Sequence, residues 1–459
     1  MNIIIIGYNA RPLVEACLHL GLNPIVVDYF GDADLTLKGI QGKYYLEQFR
    51  NEIGTRDALD DSRDDASSHG PTPEGFRRWA IQATRNIIEN DGEGSLFAGV
   101  DPLILIGSGF DDFPGAWDTL ATLGSVMGST GDVITRCRDL ASIKDLVDEP
   151  GMSISFPNTR IYEDPGRTRP HELMEDMVAH FKFPFILKRG GTAGGAGVNL
   201  IRGQRELNRA LISCKEKLDG ATDGTGHINP LIVQEFIGSD SRIDLSIIAC
   251  DGALLSINKQ IIGKDYLNAP TPFSYCGNEV PLNNLGKTLI NLLTSFVQLL
   301  HEKIGLRGIY GVDFVLADNH LYFMEINPRI PGSLEPASVA HDHNFLMEHL
   351  EAFPEIMAGY LLNLNKHPRV VTSCRIPKFH AIKHILFSRE TLVMKPLNVK
   401  TLIGKIRDIT PPGRMVNLGD PILTYLLKGK LEFMDRNRAL AGSEISMIHD
   451  HLVKGGKHE

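Results

Sequence analysis

The segment from Gly311 to Arg329 constrains the fold of this chain more than any other stretch. Apolar and other side chains alternate along both of its halves around a polar turn, which is the pattern of two antiparallel strands joined in a β-hairpin. We predict a three-residue loop over 318–320, which pairs Ala317 with Leu321. The segment reads Gly-Val-Asp-Phe-Val-Leu-Ala-Asp-Asn-His-Leu-Tyr-Phe-Met-Glu-Ile-Asn-Pro-Arg.

Two carboxylates and a carboxamide meet on one face of this hairpin. In the predicted register Asp313 lies opposite Glu325, and Asn327 follows on the same face. A two-residue loop would put the two acids on opposite faces. Oxygen ligands of this kind suit a hard cation such as Mg²⁺ held together with nucleotide phosphates. Arg329 comes next, and its guanidinium can hold an anionic substrate or a charged transition state. The alternative is an edge hairpin with solvated acids.

Length and composition argue against several classes of protein. The 459 residues suffice for about two to four domains. The net charge of −9, with no cluster of Lys and Arg, argues against nucleic acid or an anionic membrane as the main partner. No apolar run is long enough to span a bilayer. The six cysteines are scattered without a Cys-x-x-Cys pair, as in reduced cytosolic proteins, so we expect a cytoplasmic protein without a zinc site or a disulfide framework.

The N-terminal region predicts a βαβ unit. Residues 2–6 form an apolar run that lacks the basic flank and cleavage site of a signal peptide, and they read as a first strand. A helix ending near Gly21 and a second strand at 25–28 follow. The turn after the first strand holds one glycine where the dinucleotide fingerprint needs three, which argues against nicotinamide binding. Asn9 and Arg11 in this turn are candidates for contacting an anionic substrate.

A second strand in this region ends in a glycine-containing loop. The run Leu103–Ile106 leads into Gly107-Ser-Gly-Phe-Asp-Asp112. Ligands of open α/β sheets lie at the carboxyl ends of strands, so Ser108, Gly109 and Asp111 are candidates for substrate contacts. The alternative is a tight turn with a structural role only.

A strand ending in Lys188 leads into a glycine-rich loop. Such a loop lets backbone N–H groups approach phosphate oxygens, and a lysine just before it can neutralise a phosphate. A further strand follows at 198–201, and Gly-Lys-Ser/Thr is missing, so we predict a β-hairpin flap and not a P-loop. A flexible linker is the alternative. The loop contains five glycines, namely Gly190, Gly191, Gly194, Gly195 and Gly197.

Three more strands precede the Gly311–Arg329 hairpin. They are predicted at 231–237, at 242–249 with Asp244 near its start, and at 253–262. Lys259 is a charged residue in an otherwise apolar strand and needs a partner, unless its ammonium group reaches solvent.

The segment after Arg329 contains further polar candidates. Ser333 belongs to a glycine-serine loop that could cradle an acyl phosphate or a substrate, and Glu335 could bind an amine. The pairs at His341-Asp-His343 and His449-Asp-His451 have a spacing that zinc ligands can use, but no third ligand is evident. We therefore expect these histidines to have polar or helix-start roles.

The order of these motifs resembles that of the ATP-grasp superfamily. Lys188, the glycine-rich flap, Gln234-Glu-Phe-Ile237 and Asp313…Glu325-x-Asn-Pro-Arg329 carry the resemblance, which covers about residues 1–365. Gly7-Tyr-Asn-Ala-Arg-Pro, Asp28-Tyr-Phe-Gly-Asp and Gly107-Ser-Gly-Phe-Asp look like the branch of predicted ATP-dependent carboligases, distantly related to biotin carboxylase. Phe379-His-Ala-Ile and the Pro-Pro-Gly turn near residue 412 resemble the small β domain that closes the biotin carboxylase group.

The resemblance implies an α/β and α+β architecture built on the ATP-grasp fold. Residues 1–135 would form a Rossmann-like pre-ATP-grasp domain, in which 54–75 are a solvated surface insertion by composition. Residues 136–365 would form the ATP-grasp domain, with a small lobe at about 150–237 and a large lobe at about 238–365. Residues 366–459 would form a small β-rich C-terminal domain.

The resemblance also implies roles for individual residues. Asp313, Glu325 and Asn327 would hold one or two Mg²⁺ (or Mn²⁺) ions. Arg329 would stabilise the transferred phosphoryl group, and Lys259 would lie near the γ-phosphate. The ribose would be held by Asp240 or Asp244. The remaining contacts to ATP would come from Lys188, Gly190, Gly191, Thr192, Gly194, Gly195, Gly197, Gln234, Glu235, Phe236 and Ile237.

The implied activity is that of an ATP-dependent carboxylate–amine ligase. A substrate carboxylate would attack the γ-phosphate, giving an acyl phosphate and ADP, and an amine or similar nucleophile would then displace phosphate. The expected partners are a small-molecule carboxylate and an amine, and a homodimer stays open. One alternative is a carboxylase-like enzyme that uses bicarbonate. Another is a nucleotide-binding regulatory protein without turnover, against which the intact set Asp313, Glu325, Asn327 and Arg329 argues.

Overall fold

A five-stranded parallel sheet forms the N-terminal part of the protein. In the computed structural model, the described residues are 1–45, 73–89, 97, 101–149, 151–163, 165, 168–190, 194–195, 197–218, 230–357, 376–397, 402 and 404–454. The strands have the order β3-β2-β1-β4-β5 and are β1 (Asn2–Gly7), β2 (Asn23–Asp28), β3 (Gly42–Tyr45), β4 (Leu103–Ile106) and β5 (Ser125–Met127). Their apolar runs are buried on both faces, as parallel sheets require. The predicted first and second strands are confirmed.

Five helices lie within the described part of the first 150 residues, and the last of them packs against the central sheet. Residues 54–72 of the predicted insertion lie outside the described part of the chain, and a helix begins at Pro73. The helices are α1 (Arg11–His19), α2 (Pro73–Glu89), α3 (Pro114–Ala121), α4 (Gly131–Arg138) and α5 (Leu140–Val147).

A four-stranded antiparallel sheet carries the glycine-rich loop. Its order is β7-β10-β8-β9, and two helices, α6 (Pro170–His180) and α7 (Gln204–Leu218), belong to the same region. The strands are β7 (Thr159–Tyr162), β8 (Phe185–Arg189), β9 (Val198–Ile201) and β10 (Leu231–Glu235), after β6 (Ile154–Ser155), which joins the largest sheet. Because β8 and β9 pair antiparallel, the loop between them is the flap of a hairpin, as predicted.

A nine-stranded mixed sheet forms the centre of the protein. Its order is β18-β20-β16-β13-β12-β11-β14-β15-β6. The strands other than β6 are β11 (Ile243–Cys250), β12 (Ala253–Ile262), β13 (Tyr275–Val280), β14 (Ile309–Ala317), β15 (His320–Asn327), β16 (Phe379–Phe387), β18 (Ile406–Arg407) and β20 (Pro421–Lys430). The remaining strands, β17 (Leu392–Val393) and β19 (Met415–Val416), pair with each other.

The two faces of this sheet pack against different helices. Odd-numbered residues of β11, such as Ile247, lie in a core with α8 (Lys287–Ile304). Even-numbered residues, such as Ile248, lie in a core with α9 (Leu334–His341) and α10 (Leu346–Glu351). This alternation follows from the two-residue period of a strand. None of the helices in the described ranges has the length and apolarity to cross a bilayer.

The C-terminal region is less purely β than its sequence predicts. Strands β16 and β20 pair over nine residues and extend the central sheet through β13. The 21-residue helix α11 (Met434–Lys454) follows and contributes Ala441, Ile445 and Ile448 to a core beneath these strands. Its exposed faces are so polar that the apolar spacing is hard to see in the sequence. The domain boundaries at residues 135 and 365 stay predictions.

The burial of His349 predicts that the folded protein loses stability in mild acid. Its Nδ1 accepts a hydrogen bond from the Ile309 N–H at 2.9 Å, and its Nε2 lies 3.2 Å from the Met127 carbonyl. Burial lowers the pKa of His349 from 6.5 to about 4. Between these two pH values His349 is protonated in the unfolded chain but not in the folded chain. Its contribution to the free energy of unfolding is therefore fully present above pH 6.5 and is lost as the pH falls towards 4.

We expect roughly 2 kcal/mol of the loss in unfolding free energy between pH 7 and pH 5 to come from this residue. Urea unfolding at pH 7 and pH 5 measures the loss in the wild type and in His349→Gln. The other buried histidines are the same in these two proteins, so the difference between their losses reports on His349. If the variant lost as much stability as the wild type, the assignment to His349 would be wrong.

Candidate active site

The hairpin of β14 and β15 has a different loop from the one predicted. Ala317 pairs with His320, so the loop consists of Asp318 and Asn319 alone, and the prediction of three residues is wrong. Both loop residues have positive φ (50° and 61°), as the central residues of a type I′ turn require. Asp and Asn tolerate this conformation, which explains why the shorter loop forms.

A bulge nevertheless brings the two acids together. The register shifts between Asp313 and Phe314, so that Phe314 pairs with Phe323 while Asp313 pairs with Glu325. Met324 is the extra residue on β15, and its insertion cancels the one-residue shift that the shorter loop causes. The predicted opposition of Asp313 and Glu325 is therefore confirmed, although by another route.

The two acids and Asn327 form one oxygen-rich cluster. The Asn327 Nδ2 donates to Asp313 Oδ2 at 3.1 Å and lies 3.4 Å from Glu325 Oε1. Burial and the facing carboxylate of Glu325 raise the pKa of Asp313 well above its ordinary value. A hydrogen bond from Gln260 acts in the opposite direction. Ionisation of both carboxylates in this cluster is therefore unfavourable, and a bound cation would make it favourable.

Lys259 lies on the wrong face for the role predicted from the resemblance. Ser246 pairs with both Asp313 and Asn258, so these side chains share a face. Lys259, the next residue, points to the opposite face. Among the described residues it makes no ion pair, and it is half-buried, in agreement with the alternative of a solvated ammonium group. Gln260 occupies the position beside Asp313 instead.

Arg329 is held by a residue of the N-terminal sheet. Its Nε lies 2.8 Å from Asp111 Oδ1, and the two side chains are 13% and 8% exposed. Its Nη1 donates to the Ile330 carbonyl at 3.2 Å, and its Nη2 lies 3.5 Å from Asn327 Oδ1. The guanidinium therefore lies beside the acid cluster. The sequence marked Asp111 as a substrate contact and gave no sign of this ion pair.

Lys188 lies across from the cluster on the antiparallel sheet. Its Nζ donates to Gln234 Oε1 at 2.7 Å, and Gln234 Nε2 donates to Thr159 Oγ1 at 3.1 Å. Burial lowers the pKa of Lys188, and the negative charge of Glu325 partly offsets this effect. Two predicted ATP contacts, Lys188 and Gln234, are thus in direct contact, and Lys188 faces the acid cluster. Thr159 was missed because it sits in a short strand without a motif.

The described part of the flap packs against the turn before β13. Gly194, Gly195 and Gly197 have φ of 64°, 84° and 72°. A Cβ atom at Gly195 would lie 1.9 Å from the Phe273 carbonyl oxygen, and Tyr275 N–H donates to the Gly194 carbonyl at 3.1 Å. These contacts require glycine here. Gly190 lies against Pro230, and Gly191 and Thr192 are outside the described residues.

The segment after β10 connects the two sheets. Glu235 N–H donates to the Asn158 carbonyl at 2.8 Å. Arg242 donates to the Ile237 carbonyl at 2.9 Å, lies 5.4 Å from the Phe236 ring, and holds Asp244 at 2.6 Å. Asp244 is therefore engaged by an arginine, and its predicted contact with ribose stays a prediction.

A cavity of about 370 Å³ lies beside the loop that follows Arg329. It brings together residues from α1, from the ends of β1 and β4, from α9 and from β16, β18 and β20. Three of the predicted substrate residues, Asn9, Ser108 and Glu335, line it. The others do not: Ser333 is buried at the start of α9, and the carbonyl of Gly109 accepts a hydrogen bond from Arg77 at 3.3 Å.

Arg11 and Glu335 form an ion pair with each other. Arg11 is 2% exposed and forms ion pairs with Glu335 and Asp408. Lys383 donates to Glu335 at 2.9 Å. Burial opposes ionisation of Glu335, but Arg11 and Lys383 outweigh it and lower its pKa to about 2. The carboxylate is thus already neutralised, and an amine is not needed for that purpose.

The paired histidines have polar roles. His341 Nε2 lies 3.3 Å from Ser256 Oγ, and His343 Nε2 lies 2.7 Å from Glu348 Oε1. His449 and His451 contact backbone carbonyls. Within the described residues no group of three or more His, Cys, Asp or Glu is arranged to hold a metal ion.

Comparison with known families relates part of this chain to a described domain. Residues 159–333 match the family described as the ATP-grasp domain. This chain carries an ATP-grasp domain. The match spans the flap, Gln234, and the whole Asp313–Arg329 hairpin, so the motifs that carry the resemblance lie inside the matched residues.

Several curated proteins are distantly similar in sequence. An uncharacterised protein of Methanocaldococcus jannaschii is 24% identical over 440 residues, covering 94% of this chain and 89% of that protein. The carbamoyl phosphate synthase large chain of Vibrio vulnificus is 19% identical over 57% of this chain, which spans 22% of the synthase. A D-alanine–D-alanine ligase of Helicobacter pylori is 28% identical over 41% of this chain, which spans 53% of the ligase.

Solved structures share the fold over nearly the whole chain. The biotin carboxylase domain dimer of Hydrogenobacter thermophilus 2-oxoglutarate carboxylase, in complex with MgADP, ADP and bicarbonate, has a TM-score of 0.61 at 16% identity. The similarity covers 95% of this chain and 88% of the biotin carboxylase domain chain. An L-amino acid ligase of Bacillus licheniformis has a TM-score of 0.60 at 14% identity and covers 98% and 97%. The predicted ATP-grasp architecture is therefore confirmed.

Proposed function

We propose that this protein is an ADP-forming ligase that joins a carboxylate to an amine with Mg-ATP. The observation that supports the proposal is the convergence of two separate parts of the chain, the strand that ends in Lys188 and the hairpin that carries the acid cluster and Arg329. The charge of Glu325 acts on Lys188 of the antiparallel sheet, and Arg329 Nη2 lies 3.5 Å from Asn327 Oδ1. A regulatory binder would need no guanidinium at this position.

The residues of the cluster fit a magnesium ion. Asp313 and Glu325 supply carboxylate oxygens, and the remaining positions would be left to phosphate and water, as Mg²⁺ prefers. Asn327, whose Nδ2 donates to Asp313, would join as a ligand through Oδ1 after its amide group turns over. Burial and the facing carboxylate of Glu325 raise the pKa of Asp313, and a dication would act against both effects. When bound, the ion would supply charge neutralisation to the β- and γ-phosphates.

The protein's own residues would act by positioning and charge. Lys188 and the flap amides would hold the phosphates, and Arg329 would stabilise the charge on the γ-phosphoryl group as the substrate carboxylate attacks it. The bond from phosphorus to the bridging oxygen breaks, and ADP leaves. An amine then attacks the acyl carbon, phosphate leaves, and the amine proton passes to solvent. We propose that the cavity next to Ile330 holds the organic substrate.

Two of the similar proteins, a D-alanine–D-alanine ligase and an L-amino acid ligase, support a carboxylate–amine reaction. The bicarbonate in the biotin carboxylase domain structure keeps a carboxylase-like reaction as the alternative.

A phosphate-release screen tests the proposal. The full chain is incubated with Mg-ATP and mixtures of amino acids, amines and bicarbonate, and ADP and phosphate are measured. We expect ADP formation that needs both a carboxylate and an amine. ADP formed with bicarbonate alone would favour the carboxylase-like enzyme, and tight ATP binding without turnover in any mixture would favour the regulatory protein. A chain that does not bind Mg-ATP would contradict all three.

A further inference from the structure

We propose that Asp111 is a positioning residue that sets the orientation of the Arg329 guanidinium towards the transferred phosphoryl group. The inference rests on the proposed function and deepens it. Asp111 lies in the loop after β4 of the N-terminal parallel sheet, whereas Arg329 follows β15 of the central sheet. Their side chains are 8% and 13% exposed, and Asp111 Oδ1 lies 2.8 Å from Arg329 Nε.

The contact uses neither outer nitrogen of Arg329, and each of them retains one N–H for the candidate site besides the N–H directed at the Ile330 carbonyl or at Asn327. Asp111 holds the Nε edge, and Nη2 lies 3.5 Å from Asn327 Oδ1 beside the acid cluster. The Nε and Oδ1 atoms are both shielded from solvent, but their angle falls short of a hydrogen bond. The attraction is therefore mainly ionic, and it orients the guanidinium without using the groups that would face a phosphate.

The loop that carries Asp111 is fixed on both sides. The Phe110 side chain is fully buried, and its carbonyl accepts a hydrogen bond from Trp117 Nε1 at 3.0 Å. Asp112 forms an ion pair with Arg138, whose Nη1 donates to the Ile326 carbonyl at 2.7 Å. Asp111 thus lies between two anchored neighbours, which is what a residue needs to hold another in one orientation.

The same loop also reaches the cavity. Gly107 and Ser108 line it, and they are only a few residues from Asp111 along a loop with little freedom to move. A substrate in contact with Ser108 would therefore contact the same loop that contains Asp111, the residue that orients Arg329. This arrangement connects the place of the organic substrate with the place of phosphoryl transfer.

Calorimetric titration of the full chain tests the role without knowledge of the substrate. The probes are Mg·ADP alone and Mg·ADP with aluminium fluoride, which mimics the phosphoryl group in transfer. In the wild type we expect aluminium fluoride to tighten binding. In Asp111→Asn we expect the affinity for Mg·ADP alone to stay within about threefold of that of the wild type. The increase in affinity that aluminium fluoride causes should fall about 10- to 100-fold.

Two further variants separate positioning from stability. Asp111→Glu retains the carboxylate and should recover part of the gain. Asp132→Asn breaks an exposed ion pair with Arg136 without touching Arg329 or the loop of Asp111, and it should retain the tighter binding with aluminium fluoride. The melting temperature of each variant shows whether it is folded.

The outcomes distinguish the two proposals. If the wild type bound neither probe, the proposed function would be wrong and the role of Asp111 with it. If the wild type gained affinity from aluminium fluoride and Asp111→Asn gained as much, only the positioning role would be overturned. Equal losses in Asp111→Asn and Asp132→Asn, or a weakening of Mg·ADP binding as large as the loss of the aluminium fluoride effect, would also overturn it, because they would show a general effect on the protein.

Discussion

The Asp313→Asn variant is expected to lower Mg-ATP-dependent turnover by a factor of about 10² to 10³. Asparagine has almost the same shape but removes one of the two charges that face each other across the hairpin. The site would then bind the cation less well, and the charge that develops on the γ-phosphoryl group would be less well neutralised. Phosphate release in the substrate mixture that supports the highest wild-type rate measures the effect.

Asp318→Asn is the matched control for this variant. Asp318 is an exposed residue at the tip of the same hairpin, where its carboxylate accepts hydrogen bonds from Ser239 at 2.7 Å and Ser241 at 2.8 Å. It lies at the far end of β14 from the acid cluster, so its substitution should leave turnover within about twofold. Turnover that persisted in Asp313→Asn at the wild-type rate would show that this carboxylate does not hold the metal.

The Glu335→Gln variant is expected to lower the free energy of unfolding by about 3–5 kcal/mol. Glu335 is nearly buried and neutralises two cations, Arg11 and Lys383, that are themselves buried. A neutral amide would leave their charges short of a partner where water cannot solvate them. The midpoint of urea unfolding at pH 7 measures the loss.

The pH dependence of the wild type gives a second check. Because the pKa of Glu335 is lowered from 4.5 to about 2, its contribution is fully present above pH 4.5 and is lost as the pH falls towards 2. Asp132→Asn is the control, since its ion pair with Arg136 is exposed and should contribute less than about 1 kcal/mol. If Glu335→Gln cost no more than this control, the buried network would not stabilise the protein.

The sequence predicted the active-site hairpin well because its information is local. Alternation of side chains follows from the period of a strand, and the pairing of Asp313 with Glu325 is decided within a few residues. The loop length was wrong, since both a two-residue and a three-residue loop fit Asp-Asn-His. Asp313 and Glu325 face each other only because of the bulge at Met324. Next to this bulge, Phe314 packs against Phe323.

The assignment of Lys259 shows where a resemblance between motifs reaches its limit. A lysine near the end of a strand matches the family pattern, but the face it points to depends on the register with two neighbouring strands. Register is decided by the whole sheet, and a step of one residue changes the face. Gln260 took the place beside Asp313 for this reason.

By itself, the sequence determined the strand and flap elements, the order of the motifs and the residues that supply the candidate oxygen ligands. These depend on residue type and on spacings of a few residues. Only the tertiary structure decided which groups are free to act. It paired Arg11 with Glu335 and Asp111 with Arg329, partners that are 324 and 218 residues apart. A buried charge needs a counter-charge wherever the fold can supply one, and its position along the chain does not reveal which one that will be.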